Sequence, residues 1–272
     1  MSFHHVRLGH GRPLLLVHGL GGDWRSWQPI LEPLTRERSV VAVDLPGHGA
    51  TPKLASRTTI PALADAVTTF LRENDLLGVD AVGSSMGARL VLELVRRGVL
   101  GHVVALNPGG FWRGWERHMF FVSLRASVAL LRRLRPTLPR IAGSAVGRTA
   151  LLSQLSAHPH RLAPGVVLPE ILSYATSPVF DELLHALAYG VAQQGAPAGS
   201  VVQPLTIGWG RQDRVCLPRQ ASRALALFPD AHLHWFEHCG HFPHWDAPSE
   251  AVRLILKATS RQPDDKRPPS RN

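Results

Sequence analysis

Apolar and polar positions follow two rhythms along this chain. Short runs that are apolar on consecutive positions stand at residues 14–17, 39–44, 80–83, 102–106, 201–209 and 231–236. Segments 24–34, 60–73, 88–97 and 248–258 instead carry apolar residues at helical spacing. In the second of these, Ala62, Leu63, Ala66, Val67, Phe70 and Leu71 share one face. Strands apolar on both faces, alternating with amphipathic helices, predict an α/β fold with a mostly parallel central sheet and helices on both faces.

The rhythm breaks once. Residues 109–196 are long, helical in propensity and poor in strands, and they open on Phe111, Trp112, Trp115, Phe120 and Phe121. Because this stretch separates two strands, it must leave the sheet and return. It is expected to form a helical cap over the carboxyl ends of the strands, where open α/β sheets place their sites. The core then comprises residues 1–108 and 197–258. Residues 259–272 are polar, charged and proline-rich, and are expected to be a disordered tail.

A chain of 272 residues can bury a substantial core. No apolar run approaches the roughly 20 residues that a membrane helix needs, so no membrane span is expected. The first ten residues lack the apolar stretch of a secretory signal. Two cysteines, Cys216 and Cys239, make no disulfide framework, and a reducing, cytoplasmic location is expected. The net charge of +10 is concentrated: residues 111–161 hold nine arginines against one acid, Glu116. Such a segment is either a solvated basic face or a surface that attracts anionic lipid, nucleic acid or an acidic carrier. No nucleic-acid-binding motif accompanies it, so no nucleic-acid partner is expected.

The chemistry concentrates in Gly83-Ser84-Ser85-Met86-Gly87. This G-x-S-x-G pattern sits where an apolar strand ends and a helix begins, the context of a nucleophile elbow with Ser85 at its apex. Small residues two before and two after the apex let strand and helix approach closely. Serine needs a base held by an orienting group. Asp213, in Gly-Arg-Gln-Asp213, and His241, in Gly240-His241-Phe-Pro243, each follow a strand. With His18-Gly-Leu20-Gly-Gly22 after the first run and Asp44-Leu-Pro-Gly-His-Gly49 after the second, the chain resembles the α/β-hydrolase family over nearly all but the cap and tail. The resemblance implies Ser85 as nucleophile, His241 as base and Asp213 as its orienting acid. It also implies an oxyanion hole of the Leu20 and Met86 backbone N–H groups.

Rival residues fit less well. Ser84 has the wrong offset from the two glycines. Asp44 lies in a turn that reads as structural, and His18 reads as a brace for the oxyanion loop. The strand after the elbow ends in Asn107, which cannot supply a carboxylate. His232, His234, His238 and His244 surround His241 in sequence, but no paired carboxylates or cysteines stand at ligand spacing, so neither metal nor organic cofactor is expected. A serine nucleophile excludes the branches of the family that use an aspartate. The leading expectation is hydrolysis of a small-molecule carboxylic ester, thioester or lactone through an acyl-enzyme. Perhydrolase or haloperoxidase chemistry, carbon–carbon bond hydrolysis, and a non-enzymatic receptor or scaffold role remain open. Trp27, Phe111, Trp112, Trp115 and Phe120 are candidates for an apolar substrate pocket. The arginines raise an acidic or carrier-bound acyl group as a further substrate expectation.

Overall fold

The computed structural model describes residues 3–260. Seven strands form one sheet: β1 (His5–Leu8), β2 (Pro13–Val17), β3 (Ser39–Val43), β4 (Asp80–Ser84), β5 (Val103–Leu106), β6 (Leu205–Gly210) and β7 (His232–Phe236). Their spatial order is β1-β3-β2-β4-β5-β6-β7. Only β1 is antiparallel to its neighbour, so the expected mostly parallel sheet is present with one reversed edge. The apolar pattern predicts no strand at β1, because its residues, His-Val-Arg-Leu, are only half apolar, as suits an edge. The strand expected from residue 201 begins at Leu205, after Pro204, whose ring removes a ladder donor.

Helices α1 (Gln28–Thr35), α2 (Ile60–Glu73) and α3 (Met86–Arg96) follow β2, β3 and β4. A short 3₁₀ turn, Trp24–Trp27, precedes α1, which starts where Pro29 can occupy the first turn. Between β5 and β6 come α4 (Trp115–Arg133), α5 (Leu138–Gly143), α6 (Ala145–Leu152), α7 (Pro164–Thr176) and α8 (Phe180–Tyr189). α9 (Ala221–Leu227), α10 (Pro243–Asp246) and α11 (Pro248–Ala258) complete the elements of the described residues.

Strand residues divide by parity, as a pleated sheet requires. Leu14, Leu16, Val40, Ala42, Val82 and Val104 pack with Ile30, Leu34, Ala251 and Ile255 of α1 and α11. Leu15, Val17, Val41, Val43, Ala81 and Val103 pack with Leu63, Val67, Leu90, Val91 and Leu94 of α2 and α3. Both faces are therefore dry, which explains why the strands read as continuous apolar runs.

One buried arginine ties the amino-terminal strand ends together. Arg38 donates to Asp80 Oδ2 at 2.5 Å, to the carbonyls of Arg12 and Pro13, and to the carbonyl and hydroxyl of Thr259. Thr259 is fully buried. The expected tail boundary is thus too early: Thr259 belongs to the body because its hydroxyl and carbonyl complete the arginine's partners. Residues 261–272 of that expectation lie outside the described residues. Arg38→Met would leave Asp80 buried with the half-exposed Arg12 as its remaining cationic partner. The expected cost is roughly 3 kcal/mol, read as a lower urea midpoint.

Candidate active site

The site is built where β4 meets α3. Ser85 has φ +56°, a region that a residue with a Cβ rarely adopts. Two glycines make the turn possible. A Cβ on Gly83 would lie 2.3 Å from the Gly87 carbonyl oxygen, and one on Gly87 would lie 2.1 Å from that of Val17. Backbone atoms cannot yield to such contacts, so only glycine allows α3 to start against β2 and lift Ser85 above the sheet.

Ser85 Oγ lies 2.8 Å from His241 Nε2, and His241 Nδ1 lies 2.8 Å from Asp213 Oδ2. The imidazole therefore donates from Nδ1 and accepts the serine proton at Nε2. Asp213 Oδ1 accepts the N–H groups of Val215 and Cys216 at 2.7 and 2.9 Å. Asn107, at the end of β5 with φ +48°, donates its amide to Asp213 Oδ2 and to the Gly240 carbonyl, and accepts the Gly210 N–H. The residue dismissed as an acid is thus the clamp that holds the acid's strand, the histidine loop and the carboxylate together.

The inserted helices also hold the histidine. Leu155, just after α6, accepts the His241 N–H at 2.8 Å. Asp246 accepts the Gly240 N–H, the Ser156 hydroxyl and the Ala157 N–H. No sequence signal marked Asp246, because two of its three partners lie about 90 residues away along the chain.

The loop after β2 reaches the same place. A Cβ on Gly19 would sit 3.3 Å from Ser85 Cβ, and Leu20 lines the cavity above Ser85. Met86 opens α3, so its N–H has no acceptor within the helix. Two buried histidines brace the loops reciprocally. His18 Nε2 accepts the Leu45 N–H and His48 Nε2 accepts the Gly21 N–H. Burial lowers the pKa of both, His48 to about 3, so both stay neutral acceptors. Asp44 accepts the Trp24 and Ala50 N–H groups and pairs with His4, a structural knot as expected.

Above Ser85 and His241 is a narrow cavity of about 60 Å³, lined by Leu20, Phe120, Leu124, Val128, Leu155, Tyr174 and Phe180 among others. Of the five aromatic candidates, only Phe120 lines it. Trp112 stacks behind Phe120 at 4.1 Å. Phe111 packs towards Trp209 on the core side. Trp27 is fully buried on the α1–α11 face against His244. Trp115 points to solvent under the Arg219 guanidinium. A cluster of aromatic residues in sequence could not reveal which way each ring faces. Among the described residues no arginine or lysine lines the cavity, so the basic charge of the insertion lies outside it.

The sequence histidines separate likewise. His232 and His234 line a different groove beside α11, and His234 pairs with Glu250 at 2.9 Å. His244 is buried, and burial lowers its pKa to about 3. Among the described residues, the one cluster with metal-ligand types is Asp213, Cys216 and His241. Its carboxylate and imidazole are already bonded to each other, and burial raises the Cys216 thiol well above its usual pKa, which keeps it a protonated neighbour.

One buried acid was missed. Glu170 of α7 accepts the Ser26 hydroxyl and the hydroxyl of the cavity-lining Tyr174, both at 2.7 Å. The next turn fastens α7 to the loop through Ser173 Oγ and the Gly21 carbonyl, at 2.7 Å. Burial, with a smaller contribution from Asp23, raises the Glu170 pKa from 4.5 to about 7 against the opposing pull of its two hydroxyl donors and Arg25. Unfolding therefore releases a proton between these values, and this group's effect is to lower stability as pH rises through that window. Glu170→Gln, which cannot titrate, is expected to lose that slope. Its urea midpoint relative to the parent protein should be higher at about pH 8 than at about pH 5.

Comparison with known proteins agrees with this architecture. A profile described as the alpha/beta hydrolase family matches residues 14–253. An uncharacterised protein of Mycobacterium tuberculosis is 28% identical over 262 residues, covering 91% of this chain and 75% of its own. A 2-hydroxy-6-oxononadienedioate/2-hydroxy-6-oxononatrienedioate hydrolase of Pseudomonas putida is 26% identical, covering 94% and 91%. The structure of a thermophilic esterase from Thermogutta terrifontis superposes with a TM-score of 0.74 at 20% identity, covering 94% of this chain and 92% of its own, a likeness of fold. A profile match across most of the chain, on a sheet of this order and with this strand-to-helix turn, makes the protein a member of the alpha/beta hydrolase family.

Proposed function

We propose that this protein is a serine hydrolase that cleaves carboxylic esters of neutral, apolar acids through an acyl-enzyme. The observation that carries this reading is the hydrogen-bonded chain from Ser85 through His241 to Asp213, opening on an apolar cavity. Ser85 Oγ attacks the ester carbonyl as His241 Nε2 takes its proton. The same imidazole then protonates the departing alcohol, and water repeats the sequence to release the acid. Asp213 holds the tautomer and stabilises the imidazolium. The N–H groups of Leu20 and Met86 receive the oxyanion, each contributing on the order of 3 kcal/mol to the transition state.

The cavity supports the choice of acid. Its free volume holds about four to six waters at roughly 10–15 Å³ each, so a short acyl chain fits without displacement of α4 or α7. The name of the Pseudomonas putida relative specifies a dioate, a doubly charged acid. A second carboxylate in this cavity would meet no cationic side chain, at a large desolvation cost. This favours the ester reading over carbon–carbon bond hydrolysis of such acids, and over an acidic acyl group generally.

A p-nitrophenyl ester series of increasing acyl length tests the reading. Turnover is expected to peak at short chains and to vanish in Ser85→Ala. Asp213→Asn is expected to lower kcat on the order of 10⁴-fold while the protein stays folded. A protein that hydrolyses no member of the series faster than Ser85→Ala is not this esterase, and the carbon–carbon and receptor readings then come first.

A further inference from the structure

The outer face of α4 is inverted for a surface helix. Trp115, Met119, Val122, Ala126, Ala129 and Leu130 fall on one side at helical spacing, and all six are exposed. Trp115 is 58% exposed, Leu130 51%, Met119 46% and Val122 45%. The stripe runs about 22 Å at 1.5 Å per residue. Monomeric proteins seldom leave a contiguous apolar strip of this length facing water.

Its surroundings are cationic. Arg133 lies on the stripe and Arg125 beside it, and Arg113, Arg117, Arg135 and Arg140 are exposed nearby in the chain. The acids of the insertion do not offset them. Glu116 is buried and bound by Arg219 and Arg223, and Glu170 is buried on the inner side of α7. Asp181 is engaged by Arg132, and Glu182 holds the Thr58 N–H.

We propose that this face is a docking surface for an anionic lipid bilayer. Charge complementarity selects the occupant. A second copy meeting the stripe symmetrically would bring two arginine-rich surfaces together. A nucleic acid would satisfy the arginines and leave the apolar stripe in water. An anionic bilayer satisfies both, with the stripe in the acyl boundary and the guanidinium groups at the headgroups. No helix among the described residues is long and apolar enough to cross a membrane, so the association is with its surface. The inner face of the same helix, through Phe120, Leu124, Val128 and Leu131, roofs the cavity above Ser85. Docking would therefore place that cavity one helix diameter, about 10 Å, from the lipid.

Co-sedimentation with vesicles tests this independently of any catalytic activity. The full chain is expected to partition about tenfold more strongly onto phosphatidylcholine vesicles with about 30 mol % phosphatidylglycerol than onto phosphatidylcholine alone, and to dissociate at about 0.5 M salt. Arg125→Glu with Arg133→Glu should abolish binding. Met119→Ser with Val122→Ser should weaken it severalfold, and both pairs should keep the parent melting temperature. Equal binding by parent and variants would overturn the proposal, since the contact with lipid would then lie elsewhere on the surface. So would the absence of vesicle binding, preferential binding to duplex DNA, or a concentration-dependent dimer that the Met119 and Val122 substitutions dissolve.

Discussion

The close approach of α3 to β2 is the constraint on which the rest of the structure depends. Gly83 and Gly87 remove the Cβ atoms that would collide with backbone carbonyls. The chain then turns so sharply that Ser85 takes a left-handed conformation. That strain is held by dry packing on both sheet faces, because Val17 and Leu90 on one side and Val82 and Ile255 on the other cannot shift without opening voids. The serine is lifted into the space where the β2 loop, the β6 loop and the β7 loop converge.

The inserted helices take part in the site's construction. Leu155 and Ala157 fasten the loop that carries His241, directly and through Asp246, while Ser173 and Glu170 fasten the loop that carries Leu20. Arg89, buried in α3, donates to the carbonyls of Leu187 and Val191 and secures the far end of the insertion. The roof and the reacting groups therefore share hydrogen bonds, and movement of α7 is linked to the geometry beneath it. Tyr174 and Glu170 stand at that junction, one lining the cavity and the other wholly buried.

Helix α4 shows how one element can carry two chemistries. Its inward residues close an apolar cavity that contains no cationic side chain. Its outward residues combine an apolar stripe with arginines. The exposed arginines of this helix thus stand apart from the cavity, and the two environments are separated by the thickness of a helix.

The sequence by itself determined the alternation of strands and helices and the sharp strand-to-helix turn at Ser85, because strand burial, helical spacing and glycine sterics are local properties. It also brought Ser85, Asp213 and His241 forward as a set, through their order after strands. Only the tertiary structure decided that their side chains meet within hydrogen-bond distance. It alone decided that Asn107 clamps the acid, that Asp246 and Glu170 join the insertion to the loops, and that Thr259 belongs to the body. It also separated Phe120, which lines the cavity, from Trp27, Phe111, Trp112 and Trp115, which do not. These outcomes depend on contacts between residues distant along the chain and on which side of an element a ring faces. Apolar periodicity records that a residue is near an interior, and packing chooses which interior.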